Sequence, residues 1–239
     1  MVSGESPIEM VKNAKQVALS EKKLSVEERN ILSVAYKNVV GMKRNSRRLL
    51  HTSEKKELSK NPGIIAIITD SAQAARIKIY REKVENELKE PCFDVIKLIE
   101  DVLEPNAKDD FDSSVFYLKM KGDYYRYLCE FLTGAEKQTN SDKALDAYQG
   151  ALNVATENMK VCDPVRLGLA LNFSVFHYEI RDEPEKACEM AKKAFNDAIN
   201  SMEDNQGDYK DATLILQLLK DNISLWTTEM PNEDDQEDA

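Results

Sequence analysis

The sequence predicts an all-α protein, and three observations support this fold class. Only eight glycines and seven prolines occur among the 239 residues, so the chain has few turn-forming residues. Alanine, leucine, lysine and glutamate, which favour helices, are abundant. Apolar side chains recur with helical spacing through most of the chain. We therefore expect about eight helices, joined by short loops into an antiparallel stack.

The first three helices follow from their start and stop signals. A short amphipathic helix is expected at residues 8–20. Ser25 and Glu28 form a capping box, which opens a helix that runs to about His51. Residues 52–63 are polar and end in the turn sequence NPG, so a long loop is expected there. Helical periodicity then continues through residues 64–104, and Pro91 is expected to kink this helix.

The second half of the chain carries five further helical patterns. They cover residues 112–133, 141–159, 163–181, 182–202 and 208–228. Pro164 and Pro184 each follow an acidic cap candidate, where a proline in the first turn is tolerated. Residues 229–239 are rich in acidic side chains and are expected to form a disordered acidic tail. The expected organisation is a single helical domain over residues 1–228, followed by this tail.

Composition excludes several classes of function. The net charge of −10 argues against nucleic-acid partners, because phosphate backbones repel acidic surfaces. No apolar stretch is long enough to span a membrane and no signal peptide is present, so we expect a cytoplasmic protein, with the nucleus as a second compartment. The four cysteines lack the spacing of metal ligands and are expected to be reduced packing residues. No metal and no cofactor is expected.

The sequence also lacks the features of an enzyme. His51 and His177 are the only histidines, and no nucleotide-binding or nucleophile motif occurs. The alternative outside catalysis is a helical scaffold that binds unmodified partners, as solenoid proteins do. Segments beginning at Ala144 and Ala187 are similar to the helix pairs of tetratricopeptide repeats, but they are further apart than the about 34 residues of that repeat.

Two groups of polar side chains have the chemistry of an anion site. Lys37 and Arg44 lie on one face of a predicted helix, two turns apart. In the later segment YLKMKGDYYRY, Lys119 and Arg126 share a face with Asp123, and Tyr127 lies beside them. Guanidinium, ammonium and hydroxyl donors are the groups that a phosphate dianion requires. The alternative interpretation of Lys37 and Arg44 is a solvated helix face.

Two later helices each carry an apolar stripe that includes polar groups. The members of these stripes are Leu171, Val175 and Glu179 on one helix and Leu214, Leu218, Asn222 and Trp226 on the other. Such stripes suit an extended peptide, because the polar groups can bind backbone amides. The alternative is ordinary core packing, which a buried asparagine without a partner would disfavour.

Four segments of the sequence resemble the 14-3-3 family. They are RNILSVAYKNVVG at residues 29–41, YLKMKGDYYRY at 117–127, RLGLALNFSVF at 166–176 and YKDATLILQLL at 209–219. The resemblance covers most of the chain from residue 26 to residue 228. It implies an adaptor with a concave amphipathic groove that binds phosphoserine or phosphothreonine segments of client proteins and regulates their activity, conformation or localisation in signal transduction.

The resemblance also implies a role for each site residue. Lys37, Arg44, Arg126 and Tyr127 would hold the phosphate, with Lys119 and Asp123 supporting the pocket. Asn172 and Asn222 would bond the peptide main chain. Leu171, Val175, Leu214 and Leu218 would line the apolar side of the groove, with Glu179 and Trp226 at its rim.

The chain departs from the family pattern in its first half. The family's first helix is expected to be missing, which weakens the homo- or heterodimer that the family implies. The loop after the Arg44 helix is expected to be longer and contains Ile64, Ile65, Ile67 and Ile68. This apolar run either covers the surface left by the missing helix or extends the following helix into the core. Ser46 matches a family position near the dimer interface and is a candidate regulatory phosphosite; the alternative is a plain exposed serine.

Overall fold

The computed structural model of the chain describes residues 6–21, 23–59, 66–204 and 210–230. Within these ranges every regular element is helical, which confirms the predicted all-α class. The α-helices are α1 (Pro7–Glu21), α2 (Val26–Ser59), α3 (Ala66–Leu98), α4 (Glu104–Asn106), α5 (Phe111–Cys129), α6 (Gly134–Asn158), α7 (Pro164–Glu179), α8 (Pro184–Asp204) and α9 (Lys210–Glu229). A π-helical segment, Ile99–Leu103, connects α3 to α4.

The chain divides into two compact units, which we call unit 1 (Met1–Asn106) and unit 2 (Ala107–Ala239). The expected single domain over residues 1–228 stays a prediction. The expected acidic tail falls mostly on residues 231–239, which lie outside the described ranges. The described helices include none that could span a membrane, and the described residues include no cluster that could hold a metal ion. All four cysteines lie within the described ranges, where they are buried and form no disulfide.

Unit 1 is built on the long antiparallel pair α2 and α3. The predicted capping box opens α2: the backbone N–H of Ser25 donates to Glu28 Oε2 at 2.8 Å, and that of Glu28 donates to Ser25 Oγ at 3.2 Å. Within α2, Tyr36 is buried and donates to Asp94 Oδ2 of α3 at 2.6 Å. Lys15 of α1 pairs with the same carboxylate, which joins the three helices.

The predicted end of α2 was wrong, because the helix continues beyond His51 to Ser59. The extra turns are held by ion pairs to α3, in which Arg81 bonds Glu54 at 2.7 Å and Glu85 at 2.6 Å. Residues 52–59 are therefore helical rather than loop. Of the apolar run discussed above, Ile64 and Ile65 lie outside the described residues, whereas the backbone of Ile67 and Ile68 belongs to α3.

Pro91 lies inside α3, which is one helix from Ala66 to Leu98. Contacts to α1 and α2 hold α3 on both sides of this proline. Before it, Lys43 pairs with Glu87 at 2.8 Å. After it, Asp94 accepts a hydrogen bond from Tyr36 and pairs with Lys15. The helical hydrogen-bond pattern changes only later, in the π-helical segment.

Unit 2 contains α5 to α9, and its core is made of aromatic and small apolar side chains. The rings of Tyr148 and Phe173 stack with their centroids 5.2 Å apart, and Phe176 and His177 pack beside them. A second group joins α7, α8 and α9; it consists of Leu167, Ala187, Cys188, Ala191, Ala198, Ala212, Leu216, Leu219 and Trp226. These two groups fix the helices that carry the candidate site.

Two helix boundaries in unit 2 differ from the prediction. α5 ends at Cys129, earlier than expected, and α6 starts at Gly134 rather than at residue 141. Gly134 has a φ of +57°, a conformation that glycine adopts without strain. The polar first turns of α6 are supported by side chains that bond the helix backbone, such as Asn140 Nδ2 to the carbonyl of Glu136 at 2.8 Å. Because these turns carry few apolar residues, periodicity did not reveal them.

Candidate functional site

Three charged side chains of α5 form the centre of the candidate site. Lys119 Nζ lies 2.8 Å from Asp123 Oδ2, and Arg126 Nη2 lies 3.6 Å from Asp123 Oδ1. The predicted sharing of one helix face is thus confirmed. Asp123 and Arg126 are both buried, so their charges are poorly screened by water. Two cations and one carboxylate leave this cluster with a net positive charge.

Tyr148 of α6 also belongs to the cluster, and sequence reasoning missed it. Its hydroxyl donates to Asp123 Oδ1 at 2.5 Å and accepts from Arg126 Nε at 3.1 Å. The side chain is fully buried. A tyrosine at an apolar position of a helix predicts core packing, and nothing in its spacing links it to α5.

Asn172 of α7 is the fifth member of this group. Its Nδ2 donates to both oxygens of Asp123, at 2.9 and 3.0 Å. No described residue donates a hydrogen bond to its Oδ1, so the amide oxygen remains an acceptor. Three helices of unit 2 therefore meet at one carboxylate. We call Lys119, Asp123, Arg126, Tyr148 and Asn172 the Asp123 cluster.

The ionisation of the Asp123 cluster follows from this geometry. Burial alone would raise the pKa of Asp123, but Lys119, Arg126 and the hydrogen bonds lower that pKa below its ordinary value. Burial and the charge of Asp123 raise the pKa of Tyr148 well above its ordinary value. At neutral pH the carboxylate is therefore ionised and the phenol is protonated.

Tyr127 lies next to Arg126 and is half-buried. The guanidinium carbon of Arg126 lies 4.8 Å from the centroid of the Tyr127 ring, within the range of a cation–π contact. The Tyr127 ring also packs edge-on against Tyr124, with centroids 5.5 Å apart. The ring thus supports one side of the guanidinium.

The two apolar stripes differ in exposure. Leu214 is 68% exposed and Leu218 is 44% exposed, so the stripe on α9 presents leucine side chains to solvent. Leu171 and Val175 of α7 are half-buried and pack against the core of unit 2. Asn222 is half-buried and Glu179 is exposed.

Trp226 does not lie at an exposed rim, which corrects the placement taken from the resemblance. It is only 3% exposed and stacks on Tyr178, with ring centroids 4.7 Å apart and planes 12° apart. The indole is therefore part of the core that holds α9 on α7.

The candidate site residues of unit 1 all lie on α2. Lys37 is exposed and Arg44 is half-buried, and both belong to the continuous helix that begins at Val26. Ser46 is exposed, and its hydroxyl donates to the carbonyl of Met42 at 3.0 Å.

Unit 2 thus combines a buried cationic cluster with exposed leucines on a neighbouring helix, which are the features of a helical peptide-binding protein. The model of the 14-3-3 protein family matches residues 3–227. The checkpoint signal transducer rad25 of Schizosaccharomyces pombe is 50% identical over 222 residues, which cover 92% of this chain and 79% of the relative. The 14-3-3-like protein B of Vicia faba is 50% identical over 226 residues, 94% of this chain and 83% of the relative.

A third relative, the 14-3-3-like protein GF14 epsilon of Arabidopsis thaliana, is 48% identical over 229 residues, 95% of this chain and 87% of the relative. The chain belongs to the 14-3-3 family. It is a phosphopeptide-binding adaptor in signalling and not an enzyme, as the sequence predicted.

Proposed function

We propose that the chain recognises client proteins only when they carry phosphoserine or phosphothreonine, and that Arg126 is the principal phosphate ligand. The observation that carries this proposal is the state of its guanidinium. Nε donates to Tyr148, whereas Nη1 and Nη2 make no hydrogen bond with any described residue. Nη2 makes only a long ion pair with Asp123 Oδ1, at 3.6 Å. A buried guanidinium whose two terminal nitrogens make no hydrogen bond with a described residue favours a dianionic oxygen ligand.

The remaining phosphate ligands in this proposal are Lys37, Arg44 and Tyr127, which the family resemblance assigns to the same role. Lys119 and Asp123 support the pocket. Asp123 orients Arg126 and Lys119 and neutralises part of their positive charge. Because the two cations outnumber the single carboxylate, the cluster still attracts anions. Lys119 is partly exposed and adds a point charge.

The peptide is proposed to run along unit 2 in an extended conformation. Asn172 Oδ1 and the amide of Asn222 would bond its main chain, and Leu171, Val175, Leu214 and Leu218 would contact its apolar side chains. The exposure of Leu214 and Leu218 supports this role, because apolar side chains on a surface mark contact sites. Contacts to the main chain and to the phosphate depend little on the side chains of the client, so the protein should bind a broad range of clients.

The proposal is tested with a matched pair of peptides, identical except for one phosphate, by isothermal titration calorimetry. The wild-type protein should bind the phosphorylated peptide and reject the other. Arg126→Ala should cost about 2–5 kcal/mol of binding free energy, because it removes one partner of a buried charge pair. Lys160→Ala, at an exposed position of the same unit, is the control.

Two outcomes would contradict the proposal. Equal affinity of the wild-type protein for both peptides would favour the scaffold that binds unmodified partners. Wild-type affinity of a folded Arg126→Ala protein would remove Arg126 from the phosphate site.

We further propose that the adaptor acts in the cytoplasm and forms homo- or heterodimers through unit 1. Exposed apolar side chains on α2 and α3 support such an interface; they include Met42, Leu49, Leu58, Ile79 and Tyr80. Phosphorylation of Ser46, on the same helix, would oppose association. Light scattering of the wild-type and Ser46→Asp proteins tests both points: a dimer that dissociates in the variant is expected, and a wild-type monomer would refute the dimer.

A further inference from the structure

We infer that Tyr148 is a positioning residue for Arg126: it holds the guanidinium apart from Asp123 and turns the two terminal nitrogens toward the ligand. This inference rests on the proposed phosphate-binding function and adds to it the residue that sets the geometry of binding. It also assigns a reason for glycine at position 122.

The hydrogen-bond roles within the cluster are fixed by chemistry. The ionised carboxylate of Asp123 has no proton to give, so the Tyr148 hydroxyl must donate to it, at 2.5 Å. The lone pairs of the hydroxyl then accept from Arg126 Nε, at 3.1 Å. Arginine has no acceptor, so the opposite arrangement is excluded. One hydroxyl therefore connects the cation and the anion in a defined direction.

The position of the Tyr148 hydroxyl is fixed by packing. Its ring is fully buried and stacks on Phe173 with an angle of 18° between the planes. Phe176 packs against the same ring at a centroid distance of 5.5 Å. Because the ring cannot turn without disturbing this aromatic core, the hydroxyl is a rigid reference point for Arg126.

Gly122 provides the space that this ring occupies. A Cβ atom at position 122 would lie 2.8 Å from Cδ1 of Tyr148 and 2.9 Å from two further ring atoms. Any other residue would push the ring away from α5 and move the hydroxyl with it. The position of the Tyr148 hydroxyl therefore depends on Gly122, although the two residues lie on different helices.

The consequence for Arg126 is a restriction on how an anion can approach. A guanidinium can bind two oxygens through its Nε side or through its Nη1–Nη2 end. Because Nε is already bound to Tyr148, only the Nη1–Nη2 end remains for two-point binding. The distance between Arg126 Nη2 and Asp123 Oδ1 is long for an ion pair, at 3.6 Å. Without the hydroxyl, the guanidinium would close this gap, and the carboxylate would compete with the phosphate.

The first experiment is a double-mutant cycle between Tyr148 and Arg126, read by calorimetry with the phosphorylated peptide. Tyr148→Phe keeps the ring and removes the hydroxyl, and we expect about tenfold weaker binding. Arg126→Lys removes Nε, the atom through which Tyr148 acts. In the Arg126→Lys background, Tyr148→Phe should therefore weaken binding by less than about twofold. An equal loss in both backgrounds would overturn the inference.

A matched control comes from unit 1. Tyr36 is also fully buried and also donates to an aspartate, Asp94, at 2.6 Å. Tyr36→Phe removes the same group and should affect stability in the same way, but it should leave affinity for the phosphorylated peptide unchanged. A loss of affinity in Tyr36→Phe equal to that in Tyr148→Phe would show a general effect of stability and would overturn the inference.

A nuclear magnetic resonance measurement gives an independent test. The Nε proton of Arg126 should exchange slowly with solvent in the unliganded wild-type protein and rapidly in Tyr148→Phe. Rapid exchange in the wild-type protein would overturn the inference, even if Tyr148→Phe did not fold. Failure of the proposed function is separate, because it would appear as equal binding of both peptides by the wild-type protein.

Discussion

Nδ1 of His177 lies 2.6 Å from Oε2 of Glu183, and the imidazole is completely buried. Its ring packs on Phe173 at a centroid distance of 4.6 Å, and its Nε2 has no hydrogen-bond partner among the described residues. Burial lowers the pKa of His177; Lys186 and Arg181 act in the same direction, and Glu183 opposes them. The histidine is therefore neutral at pH 7 and donates its Nδ1 proton to Glu183.

This arrangement predicts that the protein loses stability in mild acid. The pKa of His177 is lower in the folded state than its ordinary value of about 6.5, so the unfolded chain binds the proton more readily. The free energy of unfolding should fall as the pH decreases through about 6.5. Urea denaturation between pH 8 and pH 5 measures this slope. His177→Phe keeps an aromatic ring at this position and should reduce the slope. His51 is present in both the wild-type protein and the variant, so an unchanged slope would show that His177 is not the group responsible.

A matched pair of glycine substitutions tests the close contact between α5 and α6. Gly122→Ala places a methyl group within 2.9 Å of the Tyr148 ring and should destabilise the protein by about 1–3 kcal/mol. Gly150→Ala, in the interior of α6, meets nothing closer than 3.8 Å and should be neutral or stabilise by about 0.5–1 kcal/mol. Chemical denaturation measures the change in unfolding free energy of both variants. Equal changes would mean that helix propensity alone determines the effect, without the contact to Tyr148.

Adjacent leucines on α9 separate binding from stability. Leu218 is 44% exposed and Leu219 is fully buried. Leu219→Ala should cost about 2–5 kcal/mol of unfolding free energy, because it leaves a cavity in the core of unit 2. Leu218→Ala should change stability by less than about 0.5 kcal/mol. Its affinity for the phosphorylated peptide should nevertheless fall, and unchanged calorimetric affinity would place the peptide elsewhere.

The end of α2 depends on a charged contact. Arg81 bonds Glu54 and Glu85, and its side chain is 16% exposed. Arg81→Met should increase amide hydrogen exchange in residues 52–59 and cost about 1–3 kcal/mol. Arg76→Met, at an exposed position of the same helix, is the control and should leave exchange unchanged. Equal protection in both variants would show that helix propensity, not Arg81, maintains these turns.

Local signals predicted much of this fold. The capping box of Ser25 and Glu28 forms as expected, and Asp163 caps α7 by accepting from the N–H of Val165 at 2.7 Å. Both motifs act within four residues, so the sequence alone contains their geometry. The end of α2 could not be predicted in this way, because Glu54 and Arg81 are distant in the sequence and meet only after α2 and α3 pack.

In the candidate site, too, contacts within one helix could be predicted from the sequence, whereas contacts between helices could not. Lys119, Asp123 and Arg126 lie on one helix, so their contacts followed from helical spacing. Tyr148 joins them from another helix, and its apolar surroundings gave no sign of its polar role. A glycine in the middle of a long helix was the one available signal, since Gly122 is costly there unless another group needs the space.

The burial of Trp226 gives the molecule a built-in optical reporter. It is the only tryptophan of the chain, and it stacks on Tyr178 in the core of unit 2. Its emission will shift to longer wavelengths when that core opens, because the indole then meets water. Circular dichroism of the helices, in contrast, samples both units. Melting curves recorded by the two signals will coincide only if both units unfold in a single cooperative step.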